Sequence, residues 1–245
     1  MLLSVYYTVL GISTLLLVGD TIVKLIKFLS MQCGTRYFMK ESSQLALVFV
    51  DLALLLLFVI QHSVMASKRL KNELWPLCKP AYRSFYSVLT SVALQTLMYF
   101  WQTTDIMLWS INTDDAPLTS LFFTLLHVFC WIILFLENTL TEPFVLIGIK
   151  QMYNHVRGYR SPTRYFSQQF QELLSHMPHP GTTCFLVILW VYPVMTFDRW
   201  LMATVLSLYM CKSYTVTHQD YLYTEQQIHT AQYTTLTKAT LVTDE

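Results

Sequence analysis

The chain has 245 residues, 54% of them hydrophobic and only 13% charged, with a mean hydropathy of +0.42 and a formal net charge of +1. A soluble domain of this composition would carry apolar surface it could not hide, so a soluble enzyme is excluded. A charge so near zero, with no basic cluster interleaved with aromatics, gives no argument for direct nucleic-acid contact. Five cysteines, Cys33, Cys78, Cys130, Cys184 and Cys211, show no C-x-x-C spacing and read as small apolar fillers.

A hydrocarbon core about 30 Å thick is crossed by about 20 mostly apolar helical residues. Six runs approach this length: 2–23, 45–65, 84–102, 118–140, 181–197 and 199–217. The expected fold is all-α, a polytopic transmembrane bundle of about six spans over residues 1–217, with a polar tail at 218–245. The first run has no Lys or Arg before it, is too long for a signal-peptide core and is followed by no A-x-A site, so it reads as a retained span. No lipidation box or N-x-[ST] acceptor occurs, so the helices alone are expected to hold the chain in the lipid bilayer.

Ionisable groups inside apolar spans cost about 2.5–3.5 kcal/mol each on insertion scales, so each asks for a partner. Along the chain these are Asp20, Asp51, His62, His127 and His179. Asp20 stands four residues before Lys24, the spacing of a helical ion pair. Asp51 and His62 are eleven residues apart, about three turns, and share a face that must point into the bundle, toward a ligand or toward another helix. His62 in the second alternative bonds Asp51 or a backbone carbonyl. Asp51, His62 and His127 are expected as structural polar groups within the membrane.

After the fourth run, residues 143–178 are amphipathic and basic, with Lys150, Arg157, Arg160 and Arg164 among Ile149, Met152, Tyr153, Val156 and Phe166, which predicts an interfacial amphipathic helix followed by a loop. The last two runs are short and divided at Phe197-Asp198-Arg199, just after Pro193, which predicts a tight helical hairpin with its turn near one membrane face. Trp75, Trp101, Trp109, Trp131, Trp190 and Trp200 fall mainly near span ends, as an interfacial belt does. The loop after the second run carries Lys68, Arg69, Lys71, Lys79 and Arg83, whereas that after the third has Asp105, Asp114 and Asp115. The positive-inside rule therefore puts 66–83, 143–178 and both termini on the cytosolic or nucleoplasmic side. Lys27, Arg36 and Lys40 after the first run argue the other way. The Gln- and Thr-rich tail beyond His218 has no apolar periodicity and is expected to be solvated.

Three blocks carry a family resemblance. His179, Pro180, Trp190, Pro193, Met195, Thr196 and Arg199 form a His-Pro-x9-Trp-x2-Pro-x-Met-Thr-x2-Arg pattern. It resembles the C-terminal half of the integral-membrane methyltransferases and their relatives, among them isoprenylcysteine carboxyl methyltransferase, methanethiol S-methyltransferase, the NnrU proteins and zeta-carotene isomerase. The run Asp51 to Ala66, with Gln61-His62-Ser63, and the run Gly148 to Gly158, with Lys150-Gln151, Tyr153 and His155, resemble the corresponding runs of the nurim family within that group. The resemblance spans most of Asp51 to Tyr223.

What the resemblance implies is a nurim-like protein of the inner nuclear membrane, a structural or interaction component with other nuclear-envelope proteins as partners. Two enzymatic alternatives stay open. A methyltransferase using S-adenosylmethionine needs a guanidinium for the cofactor's carboxylate and acceptors for its ribose and ammonium. In the membrane enzymes these come largely from an Arg-His-Pro-x-Tyr start and a Glu-Glu pair. Here the Arg position is Pro178, the Tyr position Thr182 and the pair Thr217 and His218, with Asp220 the nearest carboxylate. A diverged methyltransferase acting on an apolar or lipidated substrate would lack that clamp, so no catalytic residue is assigned. The second alternative is a haem-binding, isomerase-like protein, with His62 and His179 as candidate cofactor-binding residues. Against it, His179 caps the fifth run. His176 and His179 have Pro178 between them and no Cys, Asp or Glu beside them, so no metal site is assigned.

Overall fold

The computed structural model describes residues 2–31, 43–67, 70, 80–113, 115–140, 144, 147–158 and 180–213. Within them lie seven helices of four residues or more and two short strands: α1 Leu2–Ser30, α2 Gln44–Ala66, α3 Tyr82–Phe100, β1 Met107–Ser110, α4 Pro117–Leu140, α5 Ile149–Arg157, α6 Pro180–Trp190, β2 Val194–Thr196 and α7 Phe197–Ser213. The chain is an all-α membrane protein. Helices α1, α2 and α4 have the length and hydropathy to cross a bilayer. Their outward faces are bare aliphatic and aromatic side chains such as Leu16, Ile60, Phe129 and Phe135, a surface that only lipid covers without cost.

Local chemistry sets the helix ends. Ser43 caps α2 by accepting the Ala46 N–H at 3.3 Å, and Ser67 closes it by donating to the Val64 carbonyl at 2.7 Å. Helix α4 opens on Pro117, whose missing N–H is no loss in a first turn. Helix α5 is bracketed by two left-handed glycines, Gly148 at φ +88° and Gly158 at φ +72°. Around Gly148 the chain is crowded as well: a Cβ there would come within 2.7 Å of the Ser84 backbone nitrogen.

The first helix runs seven residues past the expected apolar stretch, because Lys24 is held by Asp20 and Lys27 stands in the last turn, where a cation suits the helix dipole. A larger difference lies at the final hairpin. The expected run 181–197 is helical only to Trp190, and residues 194–196 form β2, antiparallel to β1 with Met107 opposite Thr196 and Ser110 opposite Val194. Pro193 accounts for it, since its ring disfavours helix at the preceding residue and it has no N–H to give. Its carbonyl instead accepts the Ile111 N–H at 2.8 Å. At eleven residues α6 is about 16 Å long, roughly half the hydrocarbon core.

Helix α3 packs against both α1 and α2, α4 against α6, and α5 against α1. The core is Leu29, Leu55, Leu97, Trp101, Cys130, Cys184, Ile188, Leu189, Met202 and Ala203, drawn from α1, α2, α3, α4, α6 and α7 with Trp101 just beyond α3. It lies near the end of the bundle where α1, α3 and α6 stop and α2 and α7 start. The 101–113 segment and the 191–197 segment meet over that end, through the β1–β2 pair and a bond from the Phe197 N–H to the Ile106 carbonyl.

Candidate functional site

At that end of the bundle the structure gathers its buried polar side chains. Arg199, in the first turn of α7 and 7% exposed, donates from Nη2 to the Leu29 carbonyl at 2.9 Å and to the Ile188 carbonyl at 3.1 Å. Both acceptors belong to last turns, of α1 and of α6, where carbonyls have no intrahelical partner and the helix dipole is negative. The guanidinium lies 3.7 Å from the centroid of the Tyr192 ring, close enough for a cation–π contact. One side chain thus ties three helices together.

Its neighbour Asp198, 3% exposed, collects the chain leaving α3. Oδ1 accepts the Thr104 N–H at 3.0 Å and the Thr104 hydroxyl at 2.8 Å, and Oδ2 accepts the Trp101 indole N–H at 3.1 Å. Asp51 holds the same segment from the other side, its Oδ1 accepting the Gln102 N–H at 2.8 Å. Residues 101–104 are therefore pinned between two buried carboxyl groups.

His127, on α4, is the middle of a chain whose directions are fixed by chemistry. A carbonyl only accepts, so the 2.8 Å contact to Val191 O makes Nε2 the protonated nitrogen. Nδ1 must then accept from the Ser30 hydroxyl at 2.9 Å, and that hydroxyl oxygen accepts the Trp131 indole N–H at 2.9 Å. The neutral tautomer satisfies every member. It joins the end of α1 to α4 and to the chain leaving α6.

Asp51 and His62 lie on one stripe of α2, with Leu47, Leu55 and Phe58, and that stripe faces α3. Eleven residues apart on one helix, they stand about 16 Å from each other along its axis and meet different partners on α3 and just beyond it. His62 sits 2.8 Å (Nε2) and 3.0 Å (Nδ1) from the Tyr86 hydroxyl and stacks on Phe58 at 5.6 Å. With Tyr82 donating to the Met65 carbonyl at 2.6 Å, three tethers run antiparallel along the α2–α3 seam. A ligand reaching His62 on that side would have to displace the Tyr86 hydroxyl. His179 lies outside the described residues, as do Pro178, Thr217, His218 and Asp220. Thr182, the fourth position that departs from the methyltransferase clamp, is half-buried on α6. Asp20 meets Lys24 at 2.7 Å as its spacing predicts, and accepts Gln95 Nε2 from α3 at 2.9 Å.

The sequence alone did not single out Gln102, Thr104 or Tyr192, and it offered Asp198 and Arg199 only as the turn of the hairpin. For Arg199 the signal is its place in the Trp-x2-Pro-x-Met-Thr-x2-Arg pattern, at a hairpin turn expected near one membrane face. Among the described tryptophans, Trp101, Trp131 and Trp190 donate to the side chains of Asp198, Ser30 and Ser207, and Trp109 donates to the Tyr192 carbonyl. Among the described residues no three His, Cys, Asp or Glu side chains converge as a metal set.

No protein-family model and no solved structure matches the chain. Curated relatives do. Nurim of Mus musculus is 35% identical over 193 residues, covering 78% of this chain and 74% of that one, and nurim of Homo sapiens gives the same figures. The nurim homologue of Drosophila pseudoobscura pseudoobscura is 31% identical over 184 residues, 74% of this chain and 72% of its own. With relatives this similar over more than two thirds of both lengths, in vertebrates and in an insect, the chain belongs to the nurim family.

Proposed function

We propose that this protein is a multi-pass resident of the inner nuclear membrane that acts as a structural or interaction component of the nuclear envelope, with other envelope proteins as partners and no catalytic step. The observation that carries the non-catalytic reading is the use to which the buried ionisable groups are put. Arg199 binds helix-end carbonyls, Asp198 and Asp51 bind the 101–104 backbone, and His127 bridges Ser30 to Val191. Each is engaged with its own chain, where an enzyme of this size would aim at least one into a cleft. The location rests on the family. Physically, the soluble segments are short, which permits passage along the continuous membrane from the endoplasmic reticulum to the inner nuclear envelope.

Imaging two truncations in cells tests the location. Removing residues 224–245 leaves a nuclear rim signal, because the address lies in the helices. Deleting 181–217 takes Asp198 and Arg199 away and disperses the protein into the endoplasmic reticulum. A rim lost on removing the tail alone would contradict the reading.

A further inference from the structure

A groove of about 670 Å³ runs between α1 and α5, on the side of the bundle away from the Arg199 cluster. The order of contacts fixes its direction. Gly11 stands against Ile149 and Met152, and Tyr7 meets the His155 ring edge-on at 6.0 Å, so α5 ascends in number as α1 descends. Arg157, at the C-terminal end of α5, therefore lies level with the first turns of α1, where Ser4, Tyr7 and Thr8 line the groove. Toward the other end the lining is apolar, with Ile12 and Leu15 of α1 and Ile149 of α5. The groove is polar and cationic at one end and greasy at the other.

Its length matches half a membrane. Ser4 to Leu15 is eleven residues, a rise of about 16 Å, against about 15 Å for one leaflet of a 30 Å hydrocarbon core. The volume falls within the roughly 300–1,000 Å³ usual for bound small molecules. Arg157 is exposed and lies over the Tyr153 ring at 5.7 Å. Among the described residues no carboxylate pairs with it, and none lines the groove. Loop charge puts this end on the cytosolic or nucleoplasmic side, whose leaflet carries the anionic lipids.

We infer that the α1–α5 groove is a binding site for one anionic phospholipid of that leaflet, its headgroup phosphate on Arg157 and the hydroxyl of Ser4, and one acyl chain along Ile12 and Leu15. The amphipathic α5 then serves as a clamp for a specific lipid. The second groove, between α1 and α3 and lined by Lys24, Lys27 and Tyr99, provides an internal control. It also has cations, but Lys24 is already paired with Asp20.

Native mass spectrometry of the full-length protein, given phosphatidylserine or phosphatidylcholine of identical palmitoyl-oleoyl chains, tests this. Wild type retains one phosphatidylserine at least about fivefold more readily than phosphatidylcholine, the effect of a single basic side chain beside an anionic headgroup. Arg157→Gln removes that preference without changing the unfolding temperature. Ile12→Trp, which fills the acyl end from an exposed position, lowers retention of both lipids. Lys27→Gln leaves the wild-type pattern. Equal retention of the two lipids by wild type, a preference surviving in Arg157→Gln, unchanged retention in Ile12→Trp, or a preference lost in Lys27→Gln would each overturn the assignment.

Discussion

At Arg199 a buried guanidinium meets oxygens that every helix leaves over. Burying the charge at this end of the bundle costs at most about 2.5–3.5 kcal/mol, the insertion-scale figure for the middle of a membrane helix. Hydrogen bonds to charged groups return about 1.5–3 kcal/mol each, so the two carbonyls of Leu29 and Ile188 are enough to offset it. Arg199→Gln should destabilise the folded protein by about 2–4 kcal/mol in detergent unfolding, since it leaves one or both carbonyls buried and unmet. Arg199→Lys should lose a smaller part, because an ammonium keeps the charge but not the planar fork or the stacking on Tyr192. Gly148 is the second sensitive position. An alanine there must adopt a left-handed backbone, at about 1–2 kcal/mol, and also push Ser84 aside. Gly148→Ala is therefore expected to cost more than that figure and to weaken protection of α5 in hydrogen exchange, whereas Gly158→Ala, with open space around it, costs only the backbone strain.

Among the elements, those legible in the sequence were the ones with a single strong determinant. Helices α2 and α4 begin and end within a residue or two of the apolar runs, because a continuous hydrophobic stretch in lipid has no alternative to helix. Asp51 was legible for the same reason, as a carboxyl that had to turn inward. What was not legible depended on segments far apart in sequence. The stretch 191–197 is as apolar as the helix before it, and only the partner strand 107–110 makes β2 possible. The partner of His62 was equally hidden, since Tyr86 reaches it only once α3 has packed along α2. The β1–β2 pairing predicts a chemical result. With native cysteines replaced, Ser110→Cys with Val194→Cys should form a disulfide under mild oxidation, as directly opposed strand residues lie within reach of one. Ser110→Cys with Thr139→Cys, at the far end of α4, should not. Absence of the first cross-link would remove the strand pairing.

On the scale of the whole molecule, the buried polar groups fasten one end of the bundle while α5, with Arg157, lies toward the other. The charge asymmetry predicts that tags at residues 1 and 245 share one accessibility, exposed once the membrane facing the cytosol or nucleoplasm is opened. A tag protected in the lumen at either terminus would break the six-span topology. The candidate site was only half visible from the sequence: Asp51 and His127 stand out as ionisable groups in apolar runs, but the employment of Asp198 and Arg199 as helix ties required the fold. The central claim is that this family member uses its interior polar residues to hold helices together and not to hold a cofactor. Titration of S-adenosylmethionine into the purified full-length protein by calorimetry, with a visible absorbance spectrum of the same sample, tests it most directly. The account predicts no saturable heat at concentrations that saturate an active membrane methyltransferase, and no haem band. Saturable binding of the cofactor, or a haem band lost in His62→Ala, would contradict it.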